Sequence, residues 1–249
     1  MIKGLIFDYG GTLDTHGNHW GRVIYHAYQH HLPIITWEQF RSAYVYGERT
    51  LGRNPIVRPT FNFRQTLDVK LRLQMENLTM QRCWQPTADE FKQIHRRILD
   101  ELYGQVRETM NESREVLYQL QNRQVPMVLV SNFYGNLSVV LKEMNIENYF
   151  LDVIESAVVG IRKPDSKIFY MGMQALSRQC NENLKPDDIL VVGDSLNKDI
   201  LPATLLGFQT AFYQGEQWDG EDSTTPLPTG CVKIDSLQSL IQFPFFIPS

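Results

Sequence analysis

The sequence predicts a three-layer α/β core around a parallel sheet, interrupted near its start by an all-helical insert. Two patterns carry that expectation. From residue 106 onward, short apolar runs rich in β-forming residues alternate with helix-like stretches, which reads as a series of right-handed βαβ units. Residues 16–105, between the first such run and the second, look helical throughout. The expected division is a core from residues 1–15 and 106–249 and a helical domain over 16–105.

The first run, residues 2–7, is apolar and gives way to Tyr9-Gly10-Gly11-Thr12, so it reads as a buried strand entering a loop. In the insert, Trp20, Val23, Ile24, Ala27, Tyr28 and His31 fall on one helical stripe, and residues 37–46 and 88–103 repeat the pattern. Residues 47–59 and 214–230 read as loops. The core resumes with a helix at 112–122 and then alternates. Strands are expected at 126–131, 150–155, 188–193 and 209–213, and helices at 136–145, 166–179 and 198–206. Residues 231–234 suit an edge strand, and Ser236 suits the cap of a last helix.

The composition sets outer bounds. Of 249 residues 43% are hydrophobic and 21% charged, enough apolar mass for a sizeable core. A net charge of −4 gives no electrostatic case for nucleic acid or an anionic membrane. No run approaches the ~20 apolar residues of a membrane helix. The apolar start, interrupted by Asp8, is too short for a signal peptide. Cys83, Cys180 and Cys231 stand in no paired spacing and read as reduced thiols of a cytoplasmic protein. Oligomeric state leaves no mark on the sequence.

Ligands of an open parallel sheet bind beyond the carboxyl ends of its strands. Those ends carry Asp8, Ser131-Asn132 and Asp194, and Gly160-Ile161-Arg162-Lys163-Pro164-Asp165 follows the third strand. Two carboxylates, a hydroxyl and a lysine thus converge on one edge. Each also has a plain structural reading. Asp8 and Ser131-Asn132 suit turns, Lys163 a surface charge, Asp194 a helix cap and Asp199 a first helical turn.

The ordered set is more specific than its parts. Asp8-Tyr9-Gly10-Gly11-Thr12-Leu13, Val130-Ser131-Asn132, Lys163-Pro164-Asp165 and Val192-Gly193-Asp194-Ser195 with Asp199 resemble the four motifs of the haloacid dehalogenase superfamily. The resemblance implies a Rossmann-like core with a helical cap of the first (C1) type. It implies a phosphohydrolase that uses Asp8 as nucleophile and passes through an aspartyl-phosphate. It also implies Mg²⁺ held by Asp8, the Gly10 carbonyl and Asp194, with Asp199 in support. Ser131, Asn132 and Lys163 would bind the phosphate, and Ser131 and Lys163 would share in catalysis. The substrate class implied is a small phosphorylated metabolite. The charges make sense of this set, because two unit charges ~4 Å apart at an effective dielectric of ~20 repel by ~4 kcal/mol. An anionic nucleophile and an anionic ester need cations between them.

One position departs from the pattern. Most phosphatases of the superfamily carry a second aspartate two residues after the nucleophile, as general acid and base; here it is Gly10. Such a group contributes ~10²–10⁴-fold in rate. Asp14 is a candidate stand-in. Two alternatives follow: a catalytically impaired member that binds a phosphate ligand or a protein, and a metal-independent 2-haloacid dehalogenase, a class that also lacks the second aspartate. Against the latter stands Asp194 in the metal-binding form of the fourth motif. In the insert, Arg49, Arg53, Arg58 and Arg64 suit either a cap loop reading an anionic substrate or a solvated loop. His26 and His30, four apart, lack a third zinc ligand nearby.

Overall fold

The computed structural model describes residues 1–218 and 226–244. Six strands form one parallel sheet in the order β3-β2-β1-β4-β5-β6. They are β1 (Gly4–Phe7), β2 (Met127–Ser131), β3 (Asp152–Glu155), β4 (Ile189–Gly193), β5 (Gln209–Tyr213) and β6 (Val232–Ile234). Every strand expected from the sequence is present, including the edge strand. Central strands β1, β2 and β4 are buried along their whole length, as strands covered on both faces must be.

Alternate residues serve the two faces. Ile6, Val128, Val130, Ile189 and Val191 pack with Ile168, Phe169, Ala175 and Leu176 of α7 (Lys167–Cys180). Leu5, Phe7, Met127, Leu129, Leu190 and Val192 share the opposite core with Leu117 and Leu120 of α4 (Ala88–Asn122) and with Leu137, Val140 and Leu141 of α5 (Leu137–Glu143). Helix, sheet and helix make the three layers.

The insert supplies α1 (Trp20–His31), α2 (Trp37–Arg53), α3 (Phe63–Met80) and the first half of α4. Three starts carry a reciprocal capping box: Thr36 with Gln39, Asn62 with Gln65 and Thr87 with Glu90. The buried stripe of α1 is Gly21, Ile24, Ala27 and Tyr28, matching the sequence pattern except at its ends. Two expected segments merge: residues 88–103 and 112–122 belong to one 35-residue helix, α4, which runs without a break from the insert into the core. Residues 47–53, expected as loop, are the last turns of α2. The stretch expected as helix over 198–206 is a π turn, Leu196–Ile200, followed by α8 (Leu201–Leu205). Ser236 caps a final 3-10 turn, Leu237–Gln242. Part of the expected loop 214–230, residues 219–225, lies outside the described residues. Among the described residues no helix is long and apolar enough to cross a membrane.

Candidate active site

The sheet order reverses at β1, which has β2 on one side and β4 on the other, so a crevice opens at its carboxyl end. Asp8 is the next residue, and its amide extends the ladder by one bond to the Val192 carbonyl at 3.0 Å. Lys163 bridges two acids, with Nζ 2.7 Å from Asp8 Oδ1 and 2.6 Å from Asp199 Oδ1. Asp194, at the tip of β4, accepts the Thr12 hydroxyl at 2.8 Å. Asp8, Asp194 and Asp199 each offer a carboxylate oxygen within 4.8 Å of the others.

Two glycines permit this density. Gly11 has φ of 101°, and a Cβ there would fall 2.2 Å from the Asp194 carboxylate. A Cβ on Gly193 would fall 2.4 Å from that of Asp199. Asp199 rides on the π turn, where its Oδ2 accepts the Ser195 amide at 3.0 Å. The side chain of Asn132 is engaged twice with Lys163, donating to its carbonyl and accepting from its amide, each at 2.9 Å. It fixes the stretch from which the lysine reaches inward. Ser131 is buried at the tip of β2. Glu155, at the tip of β3, accepts the Gly135 and Leu137 amides and so pins the loop after Ser131.

The electrostatics follow from burial. Burial pushes the Asp8 carboxyl up to about 6, against the pull of Lys163 and with a further push from Asp199. Asp194 lies well above its ordinary value, raised by burial and then by Asp199 and Asp8, with Thr12 and Lys163 opposing. Burial draws the Lys163 ammonium down, but Asp199 and Asp8 together outweigh it, so the net direction is up. Three carboxylates thus face one ammonium, leaving two negative charges short of balance. The oxygen donors and that deficit fit a hard divalent cation.

The acids lie at one wall of a cavity of about 160 Å³, lined from the core by Asp8, Gly10, Asp14, Ser131, Asn132, Lys163, Asp194 and Asp199. The insert lines it with His19, Trp20, Tyr44, Glu48, Phe63 and Lys70. A Cβ on Gly10 would lie 3.9 Å from the Trp20 indole, an ordinary contact. The same indole N–H donates to Asp14 Oδ2 at 3.1 Å, while Asp14 Oδ1 accepts the Gly11 amide at 2.7 Å. Burial lifts the Asp14 carboxyl to about 7 against those two donors. Burial, then Lys198, Lys70 and Arg22, hold His19 down at about 3, so its imidazole is neutral.

The expected site residues Asp8, Gly10, Ser131, Asn132, Lys163, Asp194 and Asp199 therefore share one cavity. The arginines do not join them. Arg49 and Arg53, one turn apart on α2, line a separate groove with Trp37 and Glu38. Arg64 pairs with Asp100 at 2.5 Å, and Arg58 stands over Phe61. The insert's cation on the cavity is Lys70 instead. His26 and His30 part company, pairing with Glu216 at 2.6 Å and Glu101 at 2.9 Å. Sequence reasoning missed Thr12, Glu48, Lys70, Tyr134 and Glu155. Of these only Thr12, inside the first motif, had a signal to find.

A doubly covered parallel sheet with acids massed at its switch point, roofed by a helical insert, defines the class: a Rossmann-like α/β fold with a cap. Residues 2–207 match the haloacid dehalogenase-like hydrolases, and the chain belongs to that family. The rhythmically expressed gene 2 protein of Drosophila melanogaster is 32% identical over 112 residues, 43% of this chain and 42% of that protein. A glyceraldehyde 3-phosphate phosphatase of Methanocaldococcus jannaschii is 34% identical over 102 residues, 41% of this chain and 40% of the enzyme. The matched region thus spans well under half of these curated relatives. Among solved structures, a HAD-hydrolase from Bacillus subtilis bound to magnesium superposes with a TM-score of 0.56 at 19% identity, covering 96% of both chains. The L-2-haloacid dehalogenase of Xanthobacter autotrophicus gives 0.54 at 14% identity, covering 97% of this chain and 98% of that one. Both likenesses are of fold.

Proposed function

We propose that the protein is a Mg²⁺-dependent phosphohydrolase acting on a small phosphate monoester, with residues 16–105 as a cap over a core of 1–15 and 106–249. The observation that carries the proposal is the excess of negative charge at the β1 tip, where Asp8, Asp194 and Asp199 cluster around the Lys163 ammonium at the wall of a part-open cavity. The relatives named as phosphatases support it.

Asp8 is the nucleophile. One carboxylate oxygen bonds to phosphorus as the ester oxygen departs, giving an aspartyl-phosphate; water then cleaves that bond and returns the carboxylate and inorganic phosphate. Lys163, 2.7 Å away, favours the ionised form of Asp8 and takes a phosphate oxygen. The Ser131 hydroxyl and the amides of its loop take others. Asn132 acts by holding the Lys163 backbone, and Asp199 by holding the ammonium. Asp8, the Gly10 carbonyl and Asp194 would hold Mg²⁺, which when bound lowers the repulsion between the carboxylates and an anionic ester. Gly10 offers no proton to the leaving oxygen, so substrates with acidic leaving groups react fastest. Three free cysteines suit a reducing cytoplasm.

The bare Gly10 position gives a second reading some support: a family member that binds phosphate ligands without turning them over. A screen of phosphate monoesters with and without Mg²⁺ separates the two. The proposal expects Mg²⁺-dependent phosphate release, lost in Asp8→Asn by ~10³-fold or more and raised in Gly10→Asp by ~10–100-fold. Ligand-induced stabilisation without phosphate release establishes the second reading. Metal-independent halide release from a 2-haloacid overturns both.

A further inference from the structure

A second charged cluster lines the same cavity on its cap side, built from three elements. Glu48 comes from α2, Lys70 from α3 and Tyr134 from the loop after β2, and all three border the cavity that holds Asp8. Lys70 Nζ lies 2.7 Å from Glu48 Oε1, and the Tyr134 hydroxyl donates to Glu48 Oε2 at 3.2 Å. Lys70 Nζ stands 5.8 Å from the ring centre of Trp20, 5.6 Å from that of Tyr44 and 6.0 Å from that of Tyr134. Only 9% of the lysine is exposed. Burial draws its ammonium down, yet Glu48 and the tyrosines outweigh it, so it stays charged.

The hydrogen-bond capacity of this cluster is only partly spent. An ammonium has three N–H donors and a carboxylate about four acceptor sites. The ammonium is ion-paired with Glu48 Oε1 at 2.7 Å, and the ring faces at these distances are weak acceptors. Glu48 Oε2 accepts from Tyr134, while Oε1 faces Lys70 as an ion pair and has no hydrogen-bond partner among the described residues. A buried pair of this kind is costly unless its remaining groups are also satisfied. The pair carries no net charge. Against this cluster a second anion on the substrate would find Lys70 already neutralised and Glu48 repelling it; Arg162 and Lys198 border the cavity from the core. A bare alkyl or aryl group would leave donors and acceptors dry and unmet. A hydroxyl both donates and accepts, and so satisfies both partners.

Resting on the phosphohydrolase reading, we infer that Glu48, Lys70 and Tyr134 are the specificity residues for the leaving group, and that this group is a short, uncharged chain of hydroxyl-bearing carbons, as in a polyol or small sugar monophosphate. Trp20, Tyr44 and Phe63 wall its C–H faces. The cavity, at about 160 Å³, is below the ~300–1,000 Å³ typical of ligand pockets, which suits a chain of a few carbons.

The test compares glycerol 3-phosphate, its deoxy analogue propyl phosphate and 3-phosphoglycerate, which adds a carboxylate. Two measurements are made: kcat/KM in the wild type, and Kd by calorimetry in Asp8→Asn. The double variant Glu48→Gln/Lys70→Met exchanges the ion pair for neutral groups of like volume, which avoids stranding one charge; Tyr134→Phe keeps the pair and drops one donor. The wild type is expected to prefer glycerol 3-phosphate to propyl phosphate by ~10-fold or more, and the double variant to bring that ratio within ~2-fold of unity. Tyr134→Phe should lower the ratio by ~3–10-fold. A wild-type ratio near one, a ratio unchanged in the double variant, or a preference for 3-phosphoglycerate that Lys70 controls overturns the inference. If no ester is hydrolysed while the Kd ratio behaves as stated, the phosphohydrolase reading falls and the inference stands. Turnover without discrimination does the reverse.

Discussion

The two walls of the cavity are both buried charge clusters, yet they are opposites in balance. The core wall sets three acids, Asp8, Asp194 and Asp199, around one directly paired cation, Lys163, with Arg162 and Lys198 also bordering the cavity. The cap wall sets Glu48 against Lys70, one for one. A deficit of positive charge is unstable on its own account and asks for a cation. A neutral pair asks only for hydrogen-bond partners. Under the proposed function, this contrast is the one expected between a wall that reacts and a wall that recognises.

The largest effect that can break this comparison comes from removing each lysine in turn. Lys163→Met strands three carboxylates in a buried site and should cost ~3–5 kcal/mol of stability in urea denaturation without metal, part of it recovered on adding millimolar Mg²⁺. Lys70→Met strands a single carboxylate that keeps its Tyr134 bond and should cost less. Equal losses, or no recovery with Mg²⁺, would mean that the walls do not differ as described.

A second test lies where the walls meet, at Asp14, which takes one donor from the core at Gly11 and one from the insert at Trp20. Burial raises its carboxyl from 3.8 to about 7. Between those values the folded protein keeps a proton that the unfolded chain has released. Its contribution to stability therefore falls as pH rises from about 4 to about 7, by up to a few (~2–4) kcal/mol. Asp14→Asn should flatten that fall in metal-free protein, measured as the urea midpoint against pH. Parallel wild-type and variant curves would show that Asp14 is not the group responsible. The smallest effect sharpens the core wall alone. Thr12→Val removes the hydroxyl bonded to Asp194, a charge-assisted bond worth ~1.5–3 kcal/mol. The variant should need ~10-fold more Mg²⁺ for half-maximal thermal stabilisation, and an unchanged midpoint would detach Thr12 from the metal.

The same contrast explains what could be read from the sequence. The core wall was legible because each member stands at or just past a strand end, and a parallel sheet brings strand ends together however far apart they lie in the chain. Asp8, Ser131 and Asp194 needed only the strands to be found. The cap wall was not legible. Glu48, Lys70 and Tyr134 meet only through the packing of α2 on α3 and of both over the β2 loop, and no spacing along the chain records that. The arginines of the insert drew attention because they cluster in sequence, whereas the lysine that reaches the cavity stands alone. The unbroken α4 was hidden by Gly104, which costs ~1 kcal/mol relative to Ala within a helix. Its buried stripe, Leu102, Val106, Thr109, Met110 and Ser113, keeps helical spacing across that residue, and packing carries the helix through.

That continuous helix has a mechanical consequence. At 1.5 Å per residue α4 is a rod on the order of 50 Å long, and such rods curve gently rather than fold. The chain enters the insert through residues 12–19 and leaves it through this girder, while bonds such as Tyr103 to Glu143 and Asn136 to Thr66 tie insert and core further together. A proline at position 104 would turn the girder into a joint.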